Sequence, residues 1–304
     1  MNTFTICLFS FNRGQFLENC VHSIQVCAPQ CKLVIFDDNS TDSYTQGVLA
    51  RLSKQYELVQ PAKQVDGEGK FGGLYNNMQL AMDRFPQNEM LLFIQDDMQM
   101  VRSLTDEDFT ACQIFFELNP KAAFLHPAFL RGGKRERDLK TTKWQEDSKT
   151  YYRDMAKQSA GVHFSAILIT IPGRMRQVNW RLSNKEKFND MTAKTAFGKM
   201  GFLLNPFCAW LPNVPVYRGK VKTLALVLAE KRCASGFYPF QMMSKERVQN
   251  LVQREPAELP IAEDFLDLEE GVAIPKPWIY YALEGRPLLK SLNRIELKLR
   301  KLFA

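Results

Sequence analysis

The feature that most constrains this chain is an alternation over its first hundred residues. Short apolar runs give way repeatedly to segments of helical period. "FTICLFSF" (4–11), "KLVIF" opening 32–42, "YELVQ" (56–60) and "EMLLFIQ" opening 89–97 read as strands. Between them, "GQFLENCVHSIQVC" (14–27) places Phe16, Leu17, Cys20, Val21 and Ile24 on one helical face. "DSYTQGVLARLSKQY" (42–56) and "GGLYNNMQLAMDRF" (72–85) read as further helices. Strands alternating with helices predict an α/β domain, a mostly parallel sheet sandwiched by helices. Ligands in such sheets bind beyond the carboxyl ends of the strands. Two of these strands end there on paired acids, Asp37–Asp38 and Asp96–Asp97.

Further on, "LTDEDFTACQIFFEL" (104–118) predicts a helix with Thr105 as N-cap, and "KAAFLHPAFL" (121–130) another strand. Residues 131–161 are polar, densely charged and poor in aliphatics, as expected of a lid or binding loop. "VHFSAILITIP" (162–172) returns to the core. "MTAKTAFGKMGF" (191–202) predicts a helix closed by Gly201, before the strand-like "LLNPFCAWL" (203–211). Beyond about residue 219 the pattern is helical. The expected division is therefore an α/β domain over 1–218 and a helical extension over 219–304.

Charge and cysteine usage narrow the class. A net charge of +7 suits anionic small molecules, acidic lipid or nucleic acid, but the basic residues are scattered until the C-terminus, against a dedicated nucleic-acid face. Seven cysteines without CxxC spacing, beside three histidines, argue against structural zinc and for reduced thiols in a cytoplasmic protein. No signal peptide is visible at the N-terminus, and no apolar run is long enough to span a bilayer.

Four constellations carry chemistry. In "VIFDDNSTD" (34–42) an acid at a strand tip can accept hydrogen bonds from a ligand; an Asx-type turn into a capped helix is the competing reading. In "FIQDDMQ" (93–99) Asp96 and Asp97 repel each other unless something positive holds both. A divalent cation bridging to a diphosphate would do so; an exposed loop is the alternative. "GEGKFGG" (67–73) formally matches G-x-G-x-x-G, but it lies outside a tight first βα turn and better suits close approach of a helix N-terminus to an anion or sugar. In "KEKFNDMTAKTAF" (185–197) Asp190 either caps the helix or deprotonates an attacking hydroxyl.

Taken in order, these pieces resemble family 2 of the inverting glycosyltransferases with the GT-A fold, over about residues 3–215. "SFNR" (Ser10, Phe11, Asn12, Arg13) looks like the family's opening turn and "DDNSTD" (37–42) like its Asp-Asp-x-Ser-x-Asp stretch. "GGLYNN" (72–77) resembles its Gly-rich helix entry, "QDD" (95–97) its Asp-x-Asp-type motif, and "NDMTAKTAFGKMGF" (189–202) its acidic pair before a helix. The resemblance implies a Rossmann-like GT-A domain moving a sugar from a nucleotide-sugar, a UDP-sugar above all, to a carbohydrate acceptor with inversion, assisted by Mn2+ or Mg2+. It implies a donor site of Ser10, Phe11, Asn12, Arg13, Asp37, Asp38, Gly72, Gly73, Asn76, Gln95 and Asp96, with Asp38 reading the base, Asp97 as metal ligand and Asp190 as general base. The chain departs from the family at Gln95, Tyr75 and Asn189, and carries no histidine after His163. Those departures motivate a rival, a degenerate donor-binding scaffold; a sugar-phosphate nucleotidyltransferase is a weaker one, because "SFNRGQF" lacks its Gly-rich basic signature.

The C-terminal "RPLLKSLNRIELKLRKLF" (286–303) sets Leu288, Leu292, Ile295, Leu299 and Leu302 on one stripe, with Arg294, Lys298 and Lys301 opposite. A basic amphipathic helix either lies on a membrane surface or packs its stripe on the protein.

Overall fold

A computed structural model describes residues 3–61, 73–155, 161–216 and 222–302. Four parallel strands form one half of the main sheet: β1 (Thr5–Ser10), β2 (Lys32–Asp37), β3 (Glu57–Val59) and β4 (Leu91–Gln95). After β4 the chain makes a short β5 (Met98–Met100), then β6 (Phe124–His126), β7 (Thr142–Gln145), β8 (Thr150–Arg153), β9 (Leu168–Thr170), β10 (Gly201–Leu203) and β11 (Cys208–Trp210). Nine of these form one sheet in the order β3-β2-β1-β4-β9-β6-β10-β8-β7, and β5 pairs separately with β11. Only β8 and β9 run against the rest, so the sheet is mostly parallel, as the sequence pattern predicts.

Helices cover both faces. The period-2 alternation of strand side chains assigns Ile6, Leu8, Ile35, Leu92 and Ile94 to one face and Cys7, Phe9, Val34, Phe36, Leu91 and Phe93 to the other. The first face packs against α1 (Gly14–Cys27), α2 (Ser43–Leu52) and, after α3 (Leu74–Arg84), α4 (Asp106–Leu118). The second face takes α3 itself through Met78, Ala81 and Met82. It is completed, past the short α5 (Arg135–Thr141), by Met175 of α6 (Pro172–Gln177) and by Ala193 and Phe197 of α7 (Glu186–Phe197). Both faces of the central strands are therefore buried, which is why they read as apolar runs rather than alternating ones. Each fully buried Phe on them contributes about 1.5–3 kcal/mol. Thr105 does start α4, its backbone N–H donating to Asp108 at 3.0 Å.

Two expectations change. The polar 131–155 stretch is mostly not a loop: it forms α5 and the β7–β8 hairpin, which extends the sheet edge through β10. Its buried Tyr151 and half-buried Trp144 pack on the second face, while Lys143, Glu146 and Lys149 face water. Helix α7 closes at Gly198, at φ 80°, where an L-residue would be strained. Gly201 instead opens β10, where a Cβ would meet Phe115 at 2.4 Å.

The C-terminal region holds α8 (Leu224–Arg232), α9 (Lys245–Gln253), α10 (Ala262–Phe265) and α11 (Pro287–Leu302). Phe240, Leu251, Phe265 and Trp278 share a core with Phe16, Val101, Phe129 and Leu211, so this region is packed onto the sheet domain. All seven cysteines are free thiols.

Candidate functional site

The chain runs β1 to β2 to β3 and then returns to lay β4 on the other side of β1. That reversal opens a crevice at the carboxyl ends of β1 and β4, where doubly wound sheets bind ligands. Register aligns Ser10 with Asp37 and Phe9 with Gln95. The ladder continues beyond the strands: Asp38 N–H donates to Ser10 O at 3.0 Å and Asp96 N–H to Phe9 O at 3.0 Å. A cleft of about 210 Å³ lies there, lined by Ser10, Phe11, Arg13, Asp38, Gln95, Asp96 and Asp97 together with Phe9, Leu74 and Asn77.

The two adjacent acids are held by a guanidinium. Arg13 Nη1 donates to Asp97 Oδ2 at 2.6 Å and to Asp96 Oδ1 at 3.4 Å, and Nη2 donates to Pro215 O at 3.2 Å. Phe11 N–H donates to Asp96 Oδ2 at 3.1 Å. Burial nevertheless pushes Asp96 up, to about 7, against the opposing pull of Arg13 and with the help of the Asp97 charge. Asp97 Oδ1 and Ser10 Oγ are buried without a hydrogen-bond partner among the described residues. Among those residues no cluster of three or more His, Cys, Asp or Glu forms a metal cage. Two carboxylates with a vacant lone pair suit a divalent cation whose remaining ligands are waters and substrate phosphate oxygens.

Asp38 lies across the cleft. Its carboxylate accepts the Gly73 N–H at 2.5 Å, and burial raises its pKa. Gly73 is required by that approach: a Cβ there would stand 2.1 Å from Asp38 Oδ1. Gly72 lies outside the described residues, as do Gly67, Gly69, Lys70, Arg218 and Lys220.

Other expected site residues do different work. Asp37 is fully buried and accepts from Ser40 N–H at 2.8 Å and Gln60 Nε2 at 3.0 Å, so it builds the Asx-type turn and does not line the cleft. Asn12, at φ 49°, ties the β1–α1 turn to the β2–α2 turn: its Oδ1 accepts from Thr41 and Asp42 N–H at 2.7 and 2.9 Å. It lines a second, adjoining cavity of about 610 Å³ beside Arg13 and Phe237. On α3 the helix phase turns Asn76 outward and Asn77 inward; Asn77 is 1% exposed and its Oδ1 has no partner among the described residues.

Asp190 is not at the cleft. It is the fifth residue of α7, fully buried, and its Oδ1 accepts the backbone N–H groups of Val162, His163 and Phe164 at 3.1, 2.8 and 3.0 Å. It is not the N-cap either; Lys185 is. One turn earlier, Glu186 lines a cavity of about 230 Å³ with Arg131, Trp210 and Arg153. Burial raises the Glu186 pKa, opposed by Arg131. Glu186 also acts electrostatically on Tyr75 of α3, while Arg131 feels both Glu186 and Asp97. The link between the two cavities is structural: Trp210 pairs with Met98, and Leu211 N–H donates to Asp97 O at 2.9 Å. The sequence pattern directed attention to this helix at Asp190, whereas the acid of its first turn, Glu186, is the one that lines a cavity.

No family model matches this sequence, and no curated protein does. Among solved structures, residues 1–349 of Staphylococcus aureus TarS share 12% identity over 68% of this chain and 60% of theirs, at a TM-score of 0.44. The same protein in complex with UDP gives 0.43. The mannosyltransferase PcManGT from Pyrobaculum calidifontis, in complex with GDP-Man and Mn2+, shares 12% identity over 76% of this chain and 60% of its own, at 0.46. The chain thus spans about 60% of the length of these structures. At this identity and these scores the likeness assigns neither family nor activity to the chain.

Proposed function

We propose that this protein is a nucleotide-sugar-dependent glycosyltransferase of GT-A type that transfers a sugar to an acceptor hydroxyl with inversion. One observation carries the reading: Ser10, Phe11, Arg13, Asp38, Gln95, Asp96 and Asp97, spread over nearly a hundred residues, line one cleft at the reversal of strand order. The nucleoside lies between Phe11 and Asp38, the aromatic ring offering a face and the carboxylate accepting from base or ribose. The diphosphate lies toward Asp96 and Asp97. A divalent cation, Mn2+ or Mg2+, would be held by Asp97 with Asp96 beside it, and would neutralise charge developing on the departing diphosphate. Arg13, already bound to both acids, keeps them from repelling each other before donor arrives and adds a second positive charge to the same place.

The acceptor approaches from the Glu186 cavity. Glu186, exposed at that cavity and with its pKa raised by burial, is the carboxylate placed to take the proton of an attacking hydroxyl. Asp190 anchors α7 to the 162–164 backbone and so positions Glu186; that is the role its three hydrogen bonds support. In-line attack from this side, opposite the diphosphate, inverts the anomeric centre. The decisive assay incubates the protein with UDP- and GDP-sugars and Mn2+ and measures nucleoside diphosphate release. Release that Asp97→Asn abolishes supports transfer. Binding without release, unaffected by Glu186→Gln, identifies a scaffold instead.

The exposed stripe of α11 supports peripheral attachment to an anionic membrane surface. The helix docks on α8 by its other side: Asn293 accepts from Thr223 Oγ1 at 2.6 Å and Glu296 from Leu224 N–H at 2.8 Å. Leu288, Leu292, Ile295 and Leu302 are left 81%, 54%, 54% and 78% exposed. Exposed Lys290, Arg294 and Lys298 accompany them, matching acidic headgroups. No helix among the described residues is long and apolar enough to cross a membrane. Flotation with phosphatidylglycerol vesicles that is lost on deleting residues 286–304 is the expected result; equal flotation, or a dimer that dissociates on deletion, would refute the attachment.

A further inference from the structure

The Glu186 cavity carries more positive charge than a neutral sugar acceptor needs. Its walls present Arg131, Lys134, Arg137 and Arg153 with the lining carboxylates Asp138 and Glu186, and Glu284 pairs with Lys134, leaving an excess of one positive charge. Asp138 serves two of those cations at once, Arg137 Nη2 at 2.8 Å and Arg153 Nε at 3.2 Å. Arg153 also donates to Gly161 O at 2.8 Å, so it is a fixed part of the wall.

Arg131 is different. Its guanidinium carbon lies 3.9 Å from the ring centre of Trp210 and 4.7 Å from that of Tyr280. The guanidinium makes no hydrogen bond or ion pair with any described residue, and burial lowers its pKa. Both rings lie within cation–π range of the guanidinium, and N–H groups that bond no described residue are those with which arginine recognises phosphate or carboxylate bidentately. The segment that carries it is built in. Leu130 N–H donates to Pro260 O at 2.9 Å, Ala262 N–H to Leu130 O at 2.8 Å, and Gly132 N–H to Glu263 Oε2 at 2.7 Å. The neighbouring His126 is held neutral, its pKa lowered to about 3 by burial and by Arg153 and Arg131. An imidazole kept uncharged beside these cations leaves the net positive field for something that enters from solvent.

We infer that this cavity is an acceptor subsite for an anionic group, a phosphate or carboxylate carried by the acceptor a few bonds from the hydroxyl that Glu186 deprotonates. Arg131 binds the anion edge-on, and the Asp138-bridged arginines supply the field. The inference rests on the glycosyltransferase reading and narrows its acceptor from any carbohydrate to an acidic one, such as a phosphopolyol or a uronic-acid glycan.

The test titrates the full chain, saturated with UDP and Mn2+, with glycerol 3-phosphate, with glucuronate and with glycerol as the neutral control, at constant ionic strength. UDP affinity is measured in parallel. The expected result is saturable binding of both anions and not of glycerol, with UDP present. Arg131→Gln should weaken the anions about tenfold or more, as loss of a bidentate charge-assisted pair does. Lys54→Gln, an exposed surface control, should leave binding unchanged. Anions that bind Arg131→Gln as well as they bind the wild type, or that compete with UDP for one site, would overturn the subsite. Absence of binding by UDP and by GDP alike, GDP replacing UDP in the titration where UDP does not bind, would instead overturn the donor reading, so the two failures are distinguishable. Arg131→Gln gives up only the ring contacts with Trp210 and Tyr280; a thermal melt within about 2 °C of wild type confirms that the variant is folded.

Discussion

Replacing Arg13 by Gln tests how the cleft tolerates two adjacent acids. Arg13 Nη1 stands 2.6 Å from Asp97 and 3.4 Å from Asp96, with the three side chains 15%, 19% and 7% exposed. At an effective dielectric near 20, these separations correspond to gross attractions of about 6 and about 5 kcal/mol, most of which offsets desolvation. Removing one partner of a buried pair costs about 3–5 kcal/mol, because the remaining charge is left uncompensated. Here partial exposure, and the fact that Asp96 can protonate near neutral pH, reduce the expectation to about 2–4 kcal/mol, a fall in melting temperature of roughly 5–10 °C for a chain of this size. The loss should be largest at pH 8, where both acids are ionised. Asp96→Asn in the same chain should recover most of it, since one carboxylate no longer faces another. Mn2+ should raise the melting temperature of Arg13→Gln more than that of wild type, because the cation takes over the vacated role. Differential scanning fluorimetry on the four proteins, with and without Mn2+, reads all of this. A variant melting within about 1 °C of wild type, or one whose loss adds to that of Asp96→Asn rather than being rescued by it, would refute the reasoning.

Three further expectations follow from the same geometry. Gly73→Ala places a Cβ 2.1 Å from Asp38 Oδ1 and should displace that carboxylate, weakening UDP binding severalfold in calorimetry with little change in melting; unchanged affinity would remove Asp38 from the donor site. Glu186→Gln should lower kcat about 100-fold or more with folding intact, whereas Asp190→Ala, which orphans three backbone N–H groups, should cost about 3 kcal/mol or more in a denaturant melt. The reverse pattern would return the base to Asp190. Asp96 titrates near 7 in the fold against 3.8 as its ordinary value, so its protonated form is favoured by folding. Its contribution to stability is therefore full below pH 4 and is lost as pH rises toward 7. Wild type should lose melting temperature relative to Asp96→Asn across that window, and parallel curves would contradict the shift.

The fold was legible where burial on both faces made strands apolar throughout. Strands β1, β2 and β4 and the helices between them carry that signature, and it placed the acid pairs at one sheet edge. What remained hidden was phase within each pair. Asp37 turns into the Ser40 loop while Asp38 faces the cleft, and Asn76 faces solvent while Asn77 faces in. A difference of one residue decides each, and only the packed neighbours fix it. The β7–β8 hairpin was read as loop because an edge hairpin with polar outward faces has little apolar periodicity. Helix α7 begins at Glu186, several residues before the acidic motif suggests, so Asp190 lies buried inside the helix rather than at its start. Arg131, Trp210 and Tyr280 come from three distant segments, and no local pattern could bring them together. The apolar stripe of α11 was plain in sequence, but which side docks was not: polar contacts from Asn293 and Glu296 hold the helix and leave the leucines outward.

Isothermal calorimetry of UDP, GDP and their sugar derivatives against wild type and Asp97→Asn, each with and without Mn2+, addresses the donor cleft directly. The account predicts that one nucleoside diphosphate family binds wild type in the crevice between β1 and β4, more tightly with Mn2+, and that Asp97→Asn abolishes the metal-dependent part. Absence of binding by every nucleotide, or binding indifferent to both Asp38→Asn and Asp97→Asn, would contradict it.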